Sequence, residues 1–354
     1  MSYFRENIDR MAGYSPGFQP RESGFVKLNT NENPYPPSPR AVEAMTAACR
    51  EGIRKYPDPL ANALRKKAAQ VLGTRPERIL VGFGSDDILT VAVRSFCGPG
   101  ELIAYPYPSY SLYPVLAQIQ EARRKEVDFP DDFSLPGELA ESGAKLVIVP
   151  NPNAPSGTMV PADELKRLAD ALADGVLLID EAYVDFAEWH CLGLVDACPN
   201  VIVMRTMSKS YSLAGLRVGY AVAAEPLIEG MMKAKDSYNV SGPAIAGGAA
   251  ALEDQEWLRT NVERIKATRA RLIEGLARLG CPCWPSQANF VLARVPPLAG
   301  AERVYNELFA RKILVRYFKQ RRLEDCLRIS VGTDQEIDLL LAAMRDILDA
   351  TATC

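Results

Sequence analysis

The chain has 354 residues, of which 48% are hydrophobic and 24% charged, the composition of an ordinary globular protein. Its formal net charge of −3 provides no basic surface for nucleic acid or an anionic membrane. No run approaches the roughly 18 apolar residues of a membrane-spanning helix, and the N-terminal residues lack the apolar centre of a signal peptide. The eight cysteines include no Cys-x-x-Cys pair. We therefore expect a cytoplasmic protein with reduced thiols and no zinc site.

The histidine content limits the possible chemistry. His190 is the only histidine, and it lies in a polar connection with no Gly-x-Ser-x-Gly motif in the chain. We expect an exposed loop histidine, so that lysine, tyrosine or carboxylate side chains would have to move protons in any catalysed reaction.

The first two thirds of the chain predict an α/β fold. Residues 1–30 are rich in Gly, Pro and aromatic residues and are expected to form an arm that packs on another surface. Short apolar strands then alternate with helices, which indicates a mainly parallel, doubly wound sheet whose ligands bind at the carboxyl ends of the strands. The predicted helices are 39–51, 60–72, 85–96, 109–118 and 161–172, and the predicted strands are 79–84, 102–105, 145–149, 176–180, 201–204 and 218–222.

The pattern changes after the last of these strands. Helices are predicted over 226–252 (broken near 240–243), 256–279, 302–311 and 336–348, with strands over 289–293, 313–316 and 326–330. This is the pattern of a smaller α+β unit. We predict a large domain over 31–253 and a small C-terminal domain over 254–354, with the arm of residues 1–30 packed on the small domain.

A polar turn carrying a lysine lies between the last two strands of the predicted sheet. Lys209 is flanked by Ser208 and Ser210, and Arg217 follows eight residues later. A lysine at a desolvated sheet edge can act as a nucleophilic amine and form a Schiff base, while hydroxyls and an arginine suit a phosphate. Taken alone, the segment is equally typical of a solvated surface loop.

Four further polar features follow strands of the same predicted sheet. They are a glycine-rich turn (Gly84, Ser85, Asp86), an aromatic at a strand exit (Tyr110), a rigid turn over residues 150–157, and an acid directly after an apolar strand (Asp180, with Tyr183 nearby). Each has an ordinary structural explanation, but one ligand accounts for all of them together with the lysine. Pyridoxal 5'-phosphate needs an amine for its aldehyde, an anion for its ring nitrogen, an aromatic for its face and donors for its phosphate.

This ordered set makes the chain resemble the fold-type I pyridoxal-phosphate-dependent aminotransferases of class II over nearly its whole length. The resemblance runs from the Asn29-Thr-Asn-Glu-Asn33 motif through Ser208-Lys209 to the segment around Arg328. It implies that Lys209 is the Schiff-base lysine and proton shuttle, that Asp180 pairs with the ring nitrogen, and that Tyr183 bonds the phenolic oxygen. The other implied cofactor contacts are Tyr110 on the ring, Gly84, Ser85, Asp86, Ser208 and Arg217 at the phosphate, and Tyr56 reaching that phosphate from the second subunit of a homodimer.

The resemblance also implies the substrate contacts. Arg328 matches the arginine that takes the α-carboxylate of glutamate, and Tyr14, Asn33 and Arg316 match further substrate contacts, with a phosphorylated amino alcohol as the expected partner of glutamate. Three alternatives remain open: an aromatic amino acid as the second substrate, a pyridoxal-phosphate lyase or decarboxylase acting on a phosphorylated amino acid, and a non-catalytic ligand-binding protein.

One motif departs from the family. Its usual Asn-Pro-Thr-Gly turn reads Ala154-Pro-Ser-Gly157 here, so the amide expected beside the phenolic oxygen is missing. We predict that Asn153 supplies it. The basic residues Lys319, Arg321 and Arg322 are expected to form a solvated edge.

Overall fold

The computed structural model describes residues 2–14 and 16–352 of the chain. The helices are α1 (Glu6–Arg10), α2 (Pro39–Gly52), α3 (Asn62–Leu72), α4 (Ser85–Phe96), α5 (Leu112–Ile119), α6 (Ala162–Ala171), α7 (Leu194–Ala197), α8 (Glu225–Ala234), α9 (Gly242–Glu253), α10 (Gln255–Arg278), α11 (Ala301–Ala310) and α12 (Asp334–Ala352). The strands are β1 (Val26–Lys27), β2 (Ile79–Gly82), β3 (Leu102–Tyr107), β4 (Arg123–Asp128), β5 (Leu146–Pro150), β6 (Val176–Asp180), β7 (Val201–Thr206), β8 (Gly219–Ala223), β9 (Phe290–Arg294), β10 (Ile313–Leu314), β11 (Arg316–Tyr317) and β12 (Cys326–Ser330).

The central sheet has seven strands in the order β2-β8-β7-β6-β5-β3-β4. Strand β8 runs antiparallel to both its neighbours, and the remaining pairs are parallel. Every residue of β5, β6, β7 and β8 is buried, because helices cover both faces of the sheet. The predicted α/β class is therefore confirmed.

The edge strand β4 was not predicted, and its sequence explains why. Arg-Arg-Lys-Glu-Val-Asp over Arg123–Asp128 has one apolar residue, Val127, which is the buried one. Charged side chains are common on edge strands, where they discourage pairing with other chains. An apolar-run criterion therefore passes over such a strand.

A three-stranded antiparallel sheet, β11-β12-β9, forms the centre of the C-terminal part. The strand predicted over 313–316 is divided there: Ile313 and Leu314 pair with β1 of the arm, whereas Arg316 and Tyr317 pair with β12. The division arises because Val26 and Lys27 add a parallel partner that sequence reasoning did not include.

The N-terminal arm touches both parts of the molecule. Arg5 forms an ion pair with Glu121 at 3.0 Å, and Asn7 donates to the carbonyl of Gln118 at 2.9 Å, next to α5 of the sheet-bearing part. Further along, the amide of Leu28 donates to the carbonyl of Leu314 at 2.8 Å in the C-terminal part. The arm thus bridges the two parts, and the domain boundary at residue 254 stays a prediction.

None of the helices among residues 2–14 and 16–352 is both long enough and apolar enough to cross a membrane. Within the same residues, His, Cys, Asp and Glu side chains form no group of three that could hold a metal ion.

Candidate active site

The carboxyl ends of the parallel strands open into one cavity. Asp180 is the last residue of β6, Lys209 lies three residues after β7, and Tyr110 lies three residues after β3. Since parallel strands end at the same edge of a sheet, these side chains converge there. The predicted residues that line the cavity are Tyr14, Ser85, Asp86, Tyr110, Asp180, Tyr183, Ser208, Lys209, Arg217, Arg316 and Arg328.

Asp180 is a buried acid with two hydrogen-bond donors. The hydroxyl of Tyr113 donates to Oδ2 at 2.8 Å, and the amide of Ala182 donates to Oδ1 at 3.1 Å. Burial raises the pKa of Asp180 to about 6, and the bond from Tyr113 offsets part of that rise. Because burial disfavours the ionised carboxylate, a cation bound in the cavity would stabilise it.

Tyr110 and Tyr113 form an aromatic wall one helical turn apart. Their ring centroids are 5.6 Å apart at an interplanar angle of 89°, and the Tyr110 hydroxyl donates to Asp86 at 3.2 Å. Such edge-to-face contact fixes both rings. One tyrosine of this wall lines the cavity and the other holds Asp180 from behind.

Lys209 and Tyr183 lie close together in the cavity. The Lys209 ammonium lies 5.7 Å from the centre of the Tyr183 ring, and Nζ donates to the carbonyl of Thr30 at 3.3 Å. The Tyr183 hydroxyl accepts from Nδ2 of Asn31 at 3.0 Å. An amine and a phenol are therefore available on the same side of the cavity as the N-terminal arm.

The turn into α4 provides the features of an anion cradle. Gly84 has φ +82°, and a Cβ there would come within 2.6 Å of Nη2 of Arg217, so glycine is required for the approach of the guanidinium. Arg217 bonds Ser208 Oγ at 3.3 Å and Asp86 Oδ2 at 3.2 Å. The first-turn amides of any helix lack intrahelical acceptors and attract anions. Ser85 opens the helix directly after Gly84 and is not the N-cap that its residue type suggests.

Arg328 of β12 and Arg316 of β11 form a cationic face of the same cavity. Arg328 Nη2 donates to the carbonyl of Asn29 at 2.9 Å, and the guanidinium is held between Phe290 and Phe318, 5.3 and 5.4 Å from their ring centres. Its Nε is buried and has no hydrogen-bond partner among the described residues. Burial lowers the pKa of Arg328, so an anion bound here would remove an energetic cost.

Two other predicted substrate contacts also line the cavity. Arg316 lies 5.3 Å from the ring centre of Phe318, and Tyr14 packs edge-to-face on Tyr110 at 5.9 Å. The neighbouring basic residues differ: Lys319 and Arg321 are exposed and ion-paired, Arg321 with Asp128 at 2.6 Å and Lys319 with Glu302 at 3.5 Å.

Four predicted residues do not line this cavity: Gly84, which lies against the Arg217 guanidinium, and Asn33, Asn153 and Tyr56. Asn33 lies behind the lysine turn, where Nδ2 donates to the carbonyl of Ser210 at 3.0 Å. Asn153 directs Nδ2 to the carbonyl of Pro108 and to Ser156 Oγ, at 3.3 and 2.8 Å, so it offers no amide donor to the cavity. Tyr56 is 81% exposed and stacks on Tyr238 at 4.5 Å.

Among the site residues that sequence reasoning missed are two hydrogen-bond partners of predicted side chains. Tyr113 contacts Asp180, but a tyrosine three residues after another aromatic is typical of any packed helix face. Asn31 belongs to the Asn29–Asn33 motif, yet its contact with Tyr183 depends on residues 152 positions apart. Neither contact could be found from local spacing.

The donor set fits pyridoxal 5'-phosphate. The buried acid would meet a protonated ring nitrogen, the cradle would hold a phosphate, and the unpartnered Nε of Arg328 would meet a substrate carboxylate. Lys209 is within the same cavity.

Comparison with known proteins agrees with this architecture. The profile described as "Aminotransferase class I and II" matches residues 23–344. The chain therefore belongs to the class I and II aminotransferases.

The curated relatives are more specific. Histidinol-phosphate aminotransferase 1 of Trichormus variabilis is 46% identical over 349 residues, covering 98% of this chain and 99% of that protein. Histidinol-phosphate aminotransferase of Syntrophotalea carbinolica is 45% identical over 348 residues, covering 98% of this chain and all of that protein (100%).

Solved structures agree on the fold-type I architecture. Histidinol-phosphate aminotransferase from Sinorhizobium meliloti, solved in complex with pyridoxal 5'-phosphate, has a TM-score of 0.90 at 29% identity, covering 99% of this chain and 98% of that one. A mutant aspartate aminotransferase of Thermus thermophilus has a TM-score of 0.83 at 21% identity, covering 98% of this chain and 100% of that one, and shares the fold.

Proposed function

We propose that the protein is a pyridoxal 5'-phosphate-dependent histidinol-phosphate aminotransferase of histidine biosynthesis. It would move an amino group between L-glutamate and 2-oxoglutarate on one side and L-histidinol phosphate and imidazole-acetol phosphate on the other. The observation that carries the proposal is the meeting of Lys209, Asp180 and Arg217 in one cavity at the carboxyl edge of the sheet. The names and near-complete coverage of the curated relatives support the choice of substrate.

When bound, pyridoxal 5'-phosphate would supply an aldehyde for the Lys209 amine and a protonated pyridine ring that withdraws electrons from the substrate. Asp180 would pair with the ring nitrogen, Tyr183 would donate to the phenolic oxygen and Tyr110 would cover the ring. Gly84, Ser85, Asp86, Ser208 and Arg217 would hold the phosphate, as the cradle at the start of α4 supports.

The residues divide the work of proton transfer and binding. In one half of the cycle Lys209 Nζ would take a proton from Cα of the amino donor, and in the other half it would deliver a proton to Cα of the keto acceptor. Its bond to the Thr30 carbonyl, at 3.3 Å, holds the amine in the cavity. Asp180 would hold a positive charge on the ring throughout, and its burial keeps water from screening that charge.

The cationic face would bind the two ends of the substrates. Arg328 would take the α-carboxylate of glutamate, a bidentate geometry to which guanidinium is suited. Arg316 and Tyr14 would take the phosphate of histidinol phosphate. Asn33 and Asn153 are not proposed as direct contacts, since their amide donors bond protein carbonyls and Ser156.

We also propose that the enzyme works as a homodimer in the cytoplasm. Tyr56 and Tyr238 form an exposed stack, and Ile53 and Phe83 are exposed as well, at 71% and 50%. Exposed apolar side chains of this kind suit a subunit interface, through which Tyr56 would reach the partner's phosphate site. Free rather than disulfide-bonded cysteines among the described residues fit a reducing compartment.

An aromatic amino acid aminotransferase is the second candidate, because Tyr14, Tyr110 and Phe318 line the cavity. The deciding experiment compares kcat/KM for imidazole-acetol phosphate and phenylpyruvate at fixed glutamate. We expect a strong preference for the phosphorylated acceptor, which Arg316→Gln should reduce selectively. A preference for phenylpyruvate, or turnover without consumption of an amino donor, would contradict the assignment.

A further inference from the structure

Asn31 is held more completely than its place in an irregular segment suggests. It is 1% exposed, with φ +56°, a backbone conformation that asparagine tolerates better than most residues. Its amide donates to Ser330 Oγ at 2.8 Å, and its carbonyl accepts from Nδ2 of Asn289 at 2.9 Å. Both partners belong to the C-terminal part, which thereby fixes the backbone of Asn31.

The side-chain amide of Asn31 is held in one orientation. Ser330 Oγ accepts from the backbone N–H of Asn31 and donates its single hydrogen to the side-chain oxygen, Asn31 Oδ1, at 2.9 Å. The reverse orientation would leave that buried hydroxyl hydrogen without an acceptor among the described residues. Asn31 Nδ2 therefore points to the Tyr183 hydroxyl, 3.0 Å away.

This orientation decides what Tyr183 can do. Because its oxygen accepts from Nδ2, which cannot accept in return, the hydroxyl hydrogen of Tyr183 is directed elsewhere, and Tyr183 lines the cavity. The adjoining turn has no side-chain amide to share the task, since Ala154 contributes a methyl group and Asn153 donates to Pro108 and Ser156.

We infer that Asn31, locked by Ser330, is a positioning residue that makes the Tyr183 hydroxyl a donor to the phenolic oxygen of the bound cofactor, in a wall where Ala154 supplies none. The inference rests on the proposed function, because it concerns the same cofactor. Through Ser330, the C-terminal part would influence the titration of a cofactor that is bound at the central sheet.

The test is a pH titration of the visible absorption of the pyridoxal 5'-phosphate-loaded protein. A donor to the phenolic oxygen stabilises the form in which that oxygen carries its full negative charge, which is the form favoured at high pH. A Tyr183 hydroxyl that is no longer held towards the phenolic oxygen therefore moves the titration midpoint upward. We expect Asn31→Gly, which tolerates the positive φ and adds no charge, to raise the midpoint by about one pH unit.

Two more variants separate orientation from bulk. Asn31→Asp keeps the shape but offers an acceptor that turns the Tyr183 hydrogen away from the cofactor, so its upward shift should be at least as large. Ser330→Ala frees the amide to rotate and should give a smaller upward shift. The control is Asn151→Ala, which removes buried hydrogen bonds to Val160 of 3.0 and 2.8 Å without contacting Tyr183.

The outcomes are distinct. Shifts in the Asn31 and Ser330 variants, with an unchanged midpoint in Asn151→Ala, support the inference. Unchanged midpoints in both Asn31 variants, or the same shift in Asn151→Ala, overturn it and reduce Asn31 to a structural residue. If the unsubstituted protein binds no cofactor and shows no visible band, the proposed function fails, and this inference falls with it.

Discussion

The two walls of the cavity are built differently. On the wall formed by the ends of β3 and β6, the carboxylate of Asp180 accepts hydrogen bonds from the Tyr113 hydroxyl and the Ala182 amide. The side chains of Asp180 and Tyr113 are both buried. On the wall formed by β11 and β12, Arg328 keeps a buried Nε without a partner among the described residues. The first wall surrounds the Asp180 carboxylate with donors that are already in place, whereas the second presents a buried cation that an anion could pair with.

This difference matches two kinds of ligand. A resident cofactor benefits from a site whose polar groups are already oriented, because no reorganisation is needed during the reaction. A substrate that must leave in every cycle benefits from a site that is complete only when it is present, since that part of the binding energy serves selection. We call the wall that carries Asp180 the cofactor wall and the wall that carries Arg328 the substrate wall. If they have these separate roles, substitutions should damage them independently.

The largest expected effect comes from the residue between the walls. Lys209→Ala removes the amine that would carry the proton, so we expect transamination to fall by at least about 10³-fold. Rates with glutamate and the phosphorylated acceptor measure it, and circular dichroism checks the fold. Lys166→Ala, an exposed lysine paired with Asp170 on α6, is the matched control and should keep full activity. Substantial residual turnover in Lys209→Ala would count against the assignment.

The next effect should be confined to the substrate wall. Arg328→Gln removes the proposed carboxylate contact, and losing one partner of a desolvated charge pair should lower kcat/KM for glutamate by about 10²-fold. Burial disfavours this cation in the free protein, so the melting temperature should not fall. Arg311→Gln, an exposed arginine paired with Glu307, is the control. A lower melting temperature with unchanged glutamate kinetics would assign Arg328 to the fold instead.

The cofactor wall was easier to predict from the sequence than the substrate wall. Asp180 ends one strand and Lys209 follows another, both strands have unambiguous apolar runs, and the bounds of β6 were predicted to the residue. The rule that ligands bind at the carboxyl ends of parallel strands then brings these residues together from the sequence alone. Local pattern was sufficient because the positions depend on one regular sheet.

Contacts between distant segments were beyond such rules. The arm strand β1 divides the strand predicted over 313–316, and Asn31 meets Tyr183 only through the packing of two segments 152 positions apart. The prediction for Asn153 was wrong for a similar reason. Its motif suggested a ligand contact, but the turn directs its side-chain amide to the carbonyl of Pro108. Side-chain orientation within a rigid turn depends on tertiary neighbours, which spacing does not encode.

A third prediction concerns how the buried Asp180 carboxylate of the cofactor wall lowers the stability of the protein. Burial raises the pKa of Asp180 from 3.8 to about 6, so the folded cofactor-free protein binds more protons than the unfolded chain between those values. The contribution of Asp180 to the stability should therefore fall as pH rises from about 4 to about 6. Asp180→Asn should remove this dependence and stabilise the cofactor-free protein at pH 7 by about 1 to 3 kcal/mol, while impairing transamination. Denaturant unfolding at pH 4 and 7 measures it, and a variant that is destabilised at pH 7 would contradict it.

The smallest expected effect tests how finely the cofactor wall is tuned. The Tyr113 hydroxyl lowers the pKa of Asp180, so Tyr113→Phe should raise that pKa further. If the ionised carboxylate is needed, activity is lost as pH falls through the pKa that Asp180 has in the cofactor-loaded protein, and losing the Tyr113 donor should move the acid limb of the pH–rate profile to higher pH by up to about one unit. Tyr105→Phe is the matched control, because Tyr105 packs on Tyr113 at 5.7 Å but its hydroxyl donates to Glu126. An acid limb that stays in place in Tyr113→Phe, or moves equally in both variants, would mean that Asp180 is held by its burial and the Ala182 amide alone, and the contrast between the two walls would then rest on packing instead of hydrogen bonding.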